Sequence, residues 1–212
     1  MALKTSDLAT YGPVIPVIVI EREADALPLA RALLAGGVRV LEITLRTPAA
    51  LPAIEAIAKA LPEAIVGAGT VLNAEDARRA QEAGAQFAVS PGYTAAVGAA
   101  CKALGLPLLP GVATSGEIMA VLADGCDFLK LFPAQAVGGL GLLKAWASPF
   151  GAVSFCPTGG ITSSTAADYL ALPNVRCVGG SWLTPADAVQ QGDWTRITAL
   201  AQATHALREN NK

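Results

Sequence analysis

The sequence is poor in the residues that bind metal ions. It has a single histidine and four cysteines among 212 residues. Zinc sites are built mainly from clustered His and Cys ligands, often as Cys-x-x-Cys pairs. The histidine, His205, falls in the last predicted helix, and the cysteines form no such pair: Cys101, Cys126, Cys156 and Cys177. We therefore expect no metal site. Cys156 and Cys177 sit inside apolar strand-like runs, where a thiol is usually a small buried apolar group.

Long apolar runs and basic clusters are missing as well. No stretch reaches 18 uninterrupted apolar residues, about the minimum for a membrane-spanning helix. Residues 1–12 lack the apolar segment of a signal peptide. The formal net charge is −2, and no basic run is interleaved with aromatic residues. These absences predict a cytoplasmic protein with neither a membrane nor a nucleic-acid partner.

Eight short runs rich in Val, Ile and Leu recur along a chain that is 53% hydrophobic and 15% charged. Ala- and Leu-rich segments with helical spacing separate them. Alternating strands and helices of this length are typical of βαβ units and a parallel sheet. The predicted strands cover residues 14–20, 38–45, 64–70, 87–92, 106–112, 128–134, 153–160 and 175–182.

Eight βα units favour a closed (β/α)8 TIM barrel of the α/β class over an open doubly wound sheet. The rival Rossmann-like sheet would carry Gly-x-Gly-x-x-Gly at a helix start, and "GAGTVL" has Leu72 in place of the third glycine. No linker divides the chain. We predict one barrel domain over residues 1–212, with a helical extension at 1–12 and a frayed tail at 208–212.

One lysine stands inside the sixth predicted strand, in "DFLKLFPAQAVGG". Period-two alternation places Lys130 on one face with Phe128 and Phe132. A charged side chain is rarely buried without a partner, so Lys130 either extends out of the barrel mouth or takes part in chemistry. An amine attacks a ketone only in its neutral form, which apolar walls and a nearby cation favour. The position predicts a nucleophilic amine.

The second predicted strand, "VRVLEITLR", changes from apolar to polar toward its carboxyl end. Glu42, Thr44 and Arg46 share one face, at the end where barrels build active sites. The sequence offers Glu42 for proton transfer and Arg46 as a cation, provided that Arg46 folds back from beyond the strand. The alternative is a structural ion pair between Glu42 and Arg46.

Three further strand ends carry small or hydroxyl residues. The third strand ends in "GAGT" with Thr70, and the seventh and eighth end in the glycine pairs of "PTGG" and "GGSW". Glycine pairs let backbone N–H groups converge on an anion, and barrels often bind phosphate after these two strands. Taken singly, each feature is equally compatible with a plain turn or a tight strand end.

Seven motifs now resemble one known family. "ITLRT", "GAGTV", "SPG", "PGVAT", "KLFPA", "PTGGI" and "GGSWL", in this order, are similar to the bacterial 2-keto-3-deoxy-6-phosphogluconate aldolases. The similarity extends from "GPVIPVIVI" to about residue 205. It implies a (β/α)8 class I aldolase, usually a homotrimer, that cleaves a phosphorylated keto acid to pyruvate and glyceraldehyde 3-phosphate without a metal or cofactor.

The resemblance also implies roles for individual residues. Lys130 of "KLFPA" would form the Schiff base, and Glu42 would transfer protons. Four groups of residues would contact the substrate. They are Arg46 with Thr70 at the carboxylate, Pro91, Phe132 and Thr158 around the keto acid, Gly159 and Gly160 at the phosphate, and Gly179, Gly180 and Ser181 also at the phosphate.

Two departures from the family pattern are visible. Gln135 stands where an acidic residue often follows "KLFPA", and "ATSGE" at 113–117 differs from the more usual proline-containing version. Neither belongs to the proton-transfer residues, so both leave substrate preference open. Alternatives are the same imine chemistry on 4-hydroxy-2-oxoglutarate or 2-keto-3-deoxy-6-phosphogalactonate and, from another class, a barrel isomerase or non-catalytic sugar-phosphate binder.

Overall fold

Parallel strands alternate with helices along the part of the chain that the computed structural model describes, residues 3–209. Every predicted strand is present, although most are shorter than expected. The strands are β1 Val14–Ile18, β2 Val40–Thr44, β3 Ile65–Gly69, β4 Ala88–Val89, β5 Leu108–Leu109, β6 Gly111–Val112, β7 Phe128–Leu131, β8 Ser154–Pro157 and β9 Val178–Gly180.

The helices follow the strands as predicted. A 3-10 helix, Thr5–Thr10, lies in the predicted N-terminal extension. The first two residues of the predicted tail, 208–209, belong to the last helix, and its remaining part, 210–212, lies outside the described residues. The α-helices are α1 Glu23–Ala35, α2 Ala50–Ala60, α3 Ala74–Glu82, α4 Ala95–Ala103, α5 Ser115–Ala123, α6 Gly139–Trp146, α7 Ala166–Leu170, α8 Ala186–Gln191, α9 Trp194–Ala203 and α10 Ala206–Glu209. Within residues 3–209, none is long and apolar enough to cross a bilayer.

Local sequence signals explain where the helices begin. The side chain of Asn73 accepts a hydrogen bond from Asp76 N at 2.9 Å and caps α3. Gly84, with φ 94°, follows the end of that helix. Thr114 and Glu117 form a capping box at the start of α5. The helices α1 to α8 each follow a strand in the chain order, and α9 and α10 follow α8 directly.

The strands pair in parallel in two sheets. The larger has the order β5-β4-β3-β2-β1-β9 and the smaller the order β6-β7-β8. The fifth predicted strand is split between the sheets at Pro110, because proline has no N–H for the ladder. The split corrects the prediction of one continuous strand. Isolated bridges link Phe155 to Val175 and Thr158 to Gly179. The fold is thus a parallel, TIM-barrel-like α/β arrangement.

Two apolar clusters lie on opposite faces of the strands. The outer cluster joins strands to helices and includes Trp146, which stacks on Phe155 at 5.5 Å. The inner cluster takes side chains from β1, β2, β4, β5, β7 and β8, from the starts of β3 and β9, and from the N-terminal 3-10 helix. Its members are Leu8, Ile15, Val40, Ile65, Phe87, Val89, Leu109, Phe128, Cys156 and Cys177. This cluster underlies the candidate site.

The two cysteines of the apolar strand runs are buried, as the sequence predicts, and Cys126 is half-buried. Cys156 and Cys177 belong to the inner cluster, and Cys101 is buried in the outer one. Burial raises the pKa of the Cys101 thiol to about 11. A hydrogen bond with Cys156 and burial together raise the pKa of Cys177. The thiols of Cys101 and Cys177 therefore stay protonated near neutral pH, and the protonated form is poorly nucleophilic.

Candidate active site

A buried ion pair joins β7 and β2 above the inner cluster. Lys130 Nζ donates to Glu42 Oε1 at 3.3 Å, although the two residues are 88 positions apart. Lys130 is 3% exposed and Glu42 is 2% exposed. Lys130 therefore does not extend out to solvent, and the alternative of a lysine reaching out of the barrel mouth is wrong. Opposite charges buried together in this way are costly to desolvate, which makes the pair the leading candidate for the centre of a functional site.

The backbone register explains why these two side chains meet. Lys130 is paired with Gly111 on one side and Cys156 on the other. Glu42 is paired with Val17 and Gly67. None of these neighbours carries a long side chain, so the lysine and the carboxylate extend into the same space. The Phe132 ring closes one wall, with its centroid 5.1 Å from Lys130 Nζ, within the range of a cation–π contact.

Glycine at position 69 makes room for the carboxylate. A Cβ atom added to Gly69 would lie 2.4 Å from Glu42 Oε1 and 2.7 Å from its Cγ. Separations this short do not occur between non-bonded atoms, so any larger residue at position 69 would displace Glu42. The sequence shows small residues in "GAGT", but it does not show which side chain needs the space.

We expect Gly69→Ala to lower kcat by at least about tenfold, because it moves the carboxylate away from Lys130. Overpacking of this kind also costs about 1–3 kcal/mol of stability. The matched control is Gly116→Ala in α5, where an added Cβ meets nothing within 4 Å. Steady-state kinetics and thermal unfolding of both variants measure the effects. Full activity of Gly69→Ala would show that the Glu42 position does not matter.

Arg46 lies past the end of β2 and is exposed. Its Nε donates to Thr70 Oγ1 at 3.0 Å. The alternative of an ion pair between Arg46 and Glu42 is therefore wrong, since Glu42 pairs with Lys130. The charged group that the structure places on Lys130 Nζ is the Glu42 carboxylate, and the nearby cation that the sequence predicts, Arg46, bonds to Thr70. The reason is geometric: Arg46 is beyond the strand, and Thr70 holds its guanidinium there.

Thr70 itself has an unusual backbone. Its φ is 60°, in the left-handed region that a β-branched residue rarely adopts. Such a conformation costs about 1–3 kcal/mol and is retained where the surroundings require it. Here it directs the Thr70 hydroxyl toward Arg46. The strained threonine and the exposed arginine together form a polar edge on the candidate site.

Several of the remaining predicted residues lie at or just past the ends of other strands. Thr158, which follows β8, is buried, and its hydroxyl donates to Cys156 O at 3.3 Å. Gly179 bridges to Thr158, and an added Cβ there would lie 2.1 Å from Thr158 Oγ1. Pro91 follows β4 and packs its backbone against Gly111, the residue paired with Lys130. Of these residues, Thr158 follows β8, the strand that pairs with β7 of the lysine, whereas Gly179 and Pro91 belong to the ends of strands in the larger sheet.

The two predicted glycine pairs differ in conformation. Gly159 and Gly160 have φ values of 101° and 79°, which turn the chain sharply after β8. Gly180 is buried against the Trp182 ring, whereas Ser181 is exposed. The turn at residues 159–160 is the better candidate for an anion site, since successive left-handed residues can aim backbone N–H groups outward.

Two cavities are of interest, one next to the candidate site and one distant from the predicted site residues. A cavity of about 580 Å³ is lined by Ser181, Arg22 and Val17, which is the register partner of Glu42. A second cavity, of about 620 Å³, lies between α4 and α5 and contains none of the predicted site residues. Within residues 3–209, no group of three His, Cys, Asp or Glu residues is arranged to hold a metal ion.

Comparison with known proteins places the chain in a family. A family profile described as "KDPG and KHG aldolase" matches residues 6–200. The KHG/KDPG aldolase of Escherichia coli K12 is 55% identical over 201 residues, 94% of each chain. The 2-dehydro-3-deoxy-phosphogluconate aldolase of Zymomonas mobilis is 54% identical and covers 93% of each chain.

Solved structures agree with the sequence comparison. The KDPG aldolase of Legionella pneumophila, with pyruvate captured as a covalent carbinolamine, superposes with a TM-score of 0.94. It is 46% identical and covers 96% of this chain and 99% of its own. The Zymomonas mobilis ZM4 enzyme with 3-phosphoglycerate has a TM-score of 0.91 and 52% identity, over 95% of each chain. The chain belongs to the KDPG and KHG aldolase family, which confirms the resemblance seen in its motifs.

Proposed function

We propose that this chain is a class I aldolase that reversibly cleaves 2-keto-3-deoxy-6-phosphogluconate to pyruvate and D-glyceraldehyde 3-phosphate. The observation that carries the proposal is the buried contact of 3.3 Å between Lys130 Nζ and Glu42 Oε1. An amine nucleophile beside a carboxylate supplies what imine chemistry requires, namely a covalent electron sink and a proton carrier. The pyruvate carbinolamine in the Legionella relative supports this chemistry.

The same proposal includes a single, closed (β/α)8 barrel domain that spans the chain. Two observations support closure. The inner cluster includes residues from strands of both sheets. The two isolated bridges, Phe155 to Val175 and Thr158 to Gly179, connect the region of β8 with the region of β9. The strand β8 lies at the edge of the smaller sheet and β9 at the edge of the larger one, so the bridges link the two sheets. In a closed barrel, Lys130 and Glu42 face each other across the lumen at the carboxyl ends of their strands.

The first step requires a neutral Lys130. In the free enzyme, the pair exists either as ammonium and carboxylate or as amine and carboxylic acid, and one proton transfer converts the first into the second. Burial disfavours both charges, so it reduces the cost of forming the neutral pair. Nζ then adds to the C2 carbonyl carbon to give a carbinolamine. Glu42 returns a proton to the C2 hydroxyl, which leaves as water, and a protonated imine results.

Carbon–carbon cleavage follows from the charge on that imine. The Glu42 carboxylate accepts the proton of the C4 hydroxyl, the C3–C4 electrons move toward the iminium nitrogen, and the aldehyde departs. Glu42 then protonates C3 of the enamine, and water releases pyruvate and the amine. The imine accepts the electrons that a metal ion would otherwise stabilise, so the reaction uses neither a metal nor an organic cofactor.

Different groups of residues are assigned to the two ends of the substrate. We assign the pyruvate carboxylate to Arg46 and Thr70, whose contact fixes the guanidinium at the mouth of the site. An arginine can grip a carboxylate through two parallel hydrogen bonds. Pro91, Phe132 and the Thr158 hydroxyl enclose the keto acid. The phosphate is assigned to the glycine pairs 159–160 and 179–180 with Ser181.

Removing the guanidinium tests the carboxylate assignment. We expect Arg46→Met to raise KM for pyruvate in the condensation direction by about 10- to 100-fold, since a hydrogen bond to a charged group contributes about 1.5–3 kcal/mol. KM for the aldehyde should change less than threefold. The matched control, Arg31→Met on α1, should behave like the unaltered protein. An unchanged KM for pyruvate in Arg46→Met would reject the assignment.

Substrate choice is tested by comparing aldehydes in the condensation with pyruvate. Glyceraldehyde 3-phosphate should react with a much higher kcat/KM than glyceraldehyde or glyoxylate. Equal or faster reaction of glyoxylate would favour 4-hydroxy-2-oxoglutarate as the substrate, and the opposite C4 stereochemistry would favour 2-keto-3-deoxy-6-phosphogalactonate. An isomerase or a non-catalytic sugar-phosphate binder would leave the buried Lys130–Glu42 pair without a role.

We also propose that the protein is a cytoplasmic homotrimer. The trimer follows from the family resemblance, and light scattering should give a mass three times that of the chain. The four free cysteines support a reducing compartment. A monomeric mass in solution would reject the trimer and leave the proposed reaction untouched, because the Lys130–Glu42 pair lies within one chain.

A further inference from the structure

The cavity of about 580 Å³ beside the candidate site begins next to the Glu42 carboxylate. Val17, which lines it, is the register partner of Glu42. Partners in adjacent parallel strands point their side chains to the same face, and the strands lie about 4.8 Å apart. Val19 has the same parity as Val17, follows the end of β1 and also lines the cavity. The cavity therefore extends away from the reacting groups along the end of β1.

The walls of this cavity are mainly apolar. One wall is the end of β1, and the other is the start of α8 with the residue before it. The apolar lining residues are Val17, Val19, Pro185, Ala186 and Val189. Val19 is among the large apolar side chains that the structure leaves exposed. Since apolar surface in a cavity is removed from water when an apolar ligand enters, these walls favour a hydrocarbon group.

The ionisable groups of the cavity do not select for an anion. Arg22 donates through Nε and Nη2 to the two carboxylate oxygens of Asp25, each at 2.8 Å. Asp25 is buried, and its charge offsets that of the guanidinium. Glu21, the third ionisable residue of the lining, is acidic. The phosphate is therefore better placed at the glycine turns, and the cavity beyond them suits an uncharged chain.

We propose that this cavity binds the carbon chain of uncharged aldehydes, so that the enzyme also adds pyruvate to unphosphorylated aliphatic aldehydes. The inference rests on the proposed function, because it uses the same imine on Lys130. Small-molecule sites have volumes of roughly 300–1,000 Å³, so a chain of about four to six carbons fits this cavity. The aldehyde carbon then lies at the Glu42 end and the hydrocarbon chain along the valines of β1.

The addition uses groups already assigned to the reaction. Glu42 removes a proton from C3 of the protonated pyruvate imine, which gives an enamine. C3 of the enamine then forms a bond to the aldehyde carbon, and the aldehyde oxygen takes the proton from Glu42. Water hydrolyses the resulting iminium and releases a 4-hydroxy-2-oxo acid and the free amine. The step needs neither an oxidant nor a further reactant.

The first test is a series of aldehydes from propanal to hexanal, with the unaltered protein at saturating pyruvate. The kcat/KM for the aldehyde should rise about two- to fourfold with each added methylene, because burial of a methylene stabilises the bound state by up to that factor. Chromatography with mass spectrometry measures the 4-hydroxy-2-oxo acid that forms. A flat or falling series would overturn the proposal.

Two variants locate the chain. Val19→Thr keeps the shape of the side chain but adds a hydroxyl, and it should lower kcat/KM for hexanal about three- to fivefold. Ala186→Leu adds bulk at an exposed position of the opposite wall. It should lower kcat/KM at least about fivefold for hexanal and less than about twofold for propanal, because only the longer chain reaches that wall. Equal losses with both aldehydes would place the chain elsewhere.

The matched control is Leu122→Thr on α5. Leu122 is 37% exposed, close to the 38% of Val19, and it does not line the cavity. This variant should leave the whole aldehyde series unchanged. A loss with hexanal equal to that of Val19→Thr would show a general effect of surface polarity and would overturn the proposal.

Glyceraldehyde 3-phosphate separates this inference from the proposed function. Its kcat/KM should stay within twofold in Val19→Thr, because its phosphate is bound at the glycine turns. Equal losses with glyceraldehyde 3-phosphate and hexanal would show that the cavity serves the phosphorylated substrate only. Cleavage of the phosphorylated keto acid without any addition to propanal or hexanal would reject this inference alone. If pyruvate reacted with no aldehyde at all, the proposed function would fail as well.

Discussion

Lys130→Ala is expected to lose at least about a thousandfold in kcat for aldol cleavage, because without the amine no imine forms and the C3–C4 electrons have no acceptor. In the proposed mechanism no other side chain can replace it, since Nζ is the atom that bonds to substrate. The continuous assay is the release of pyruvate and glyceraldehyde 3-phosphate from the keto acid. Retention of even a tenth of the original activity would contradict the mechanism.

Loss of folding must be separated from loss of chemistry. Removing one partner of a buried ion pair costs about 3–5 kcal/mol, because the other charge is left uncompensated. Lys130→Met retains most of the side-chain volume and provides a second inactive variant that fills the space. Circular dichroism and thermal unfolding should show both variants folded. The control Lys59→Ala, on the exposed face of α2, should keep full activity.

Glu42→Gln is expected to lower kcat by about 10²–10⁴, the usual contribution of a positioned general acid or base. The amide keeps the shape that fits beside Gly69 and can still accept a hydrogen bond from Lys130. It cannot carry a proton between the C4 hydroxyl and C3. Steady-state kinetics in both directions measure the loss, and Glu55→Gln on α2 serves as the exposed control.

The two variants should differ in covalent chemistry. Glu42→Gln keeps the amine, so it should still form an adduct with pyruvate on borohydride reduction, only more slowly. Lys130→Ala should form none. A Glu42→Gln variant with kcat within threefold of the unaltered protein would remove Glu42 from proton transfer. It would leave the assignment of Lys130 intact.

Much of the fold could be predicted because the signals are local. Apolar runs located all the strands, and the helical spacing of the segments between them indicated the helices. The boundaries were less predictable. The run 106–112 was expected to form one strand, and Pro110 divides it into β5 and β6. Whether a proline interrupts a ladder depends on the neighbouring strand, which the sequence of one segment does not specify.

The site was predictable as a set of residues but not as a set of contacts. Strand parity placed Lys130 and Glu42 on lumen faces, and the structure brings them together. Parity could not show that Arg46 would form a hydrogen bond with Thr70, or that Lys130 would pair with the Glu42 carboxylate. That outcome depends on the space above Gly69 and on the left-handed backbone of Thr70. Both are properties of packing between strands.

The most direct measurement traps the covalent intermediate. The protein is incubated with pyruvate and sodium borohydride, digested, and mapped by mass spectrometry. Reduction of a pyruvate imine should add one 1-carboxyethyl group per chain to a lysine nitrogen on the peptide that contains Lys130. Activity should be lost in parallel. An adduct on another lysine, or inactivation without any adduct, would show that the amine buried opposite Glu42 is not the nucleophile.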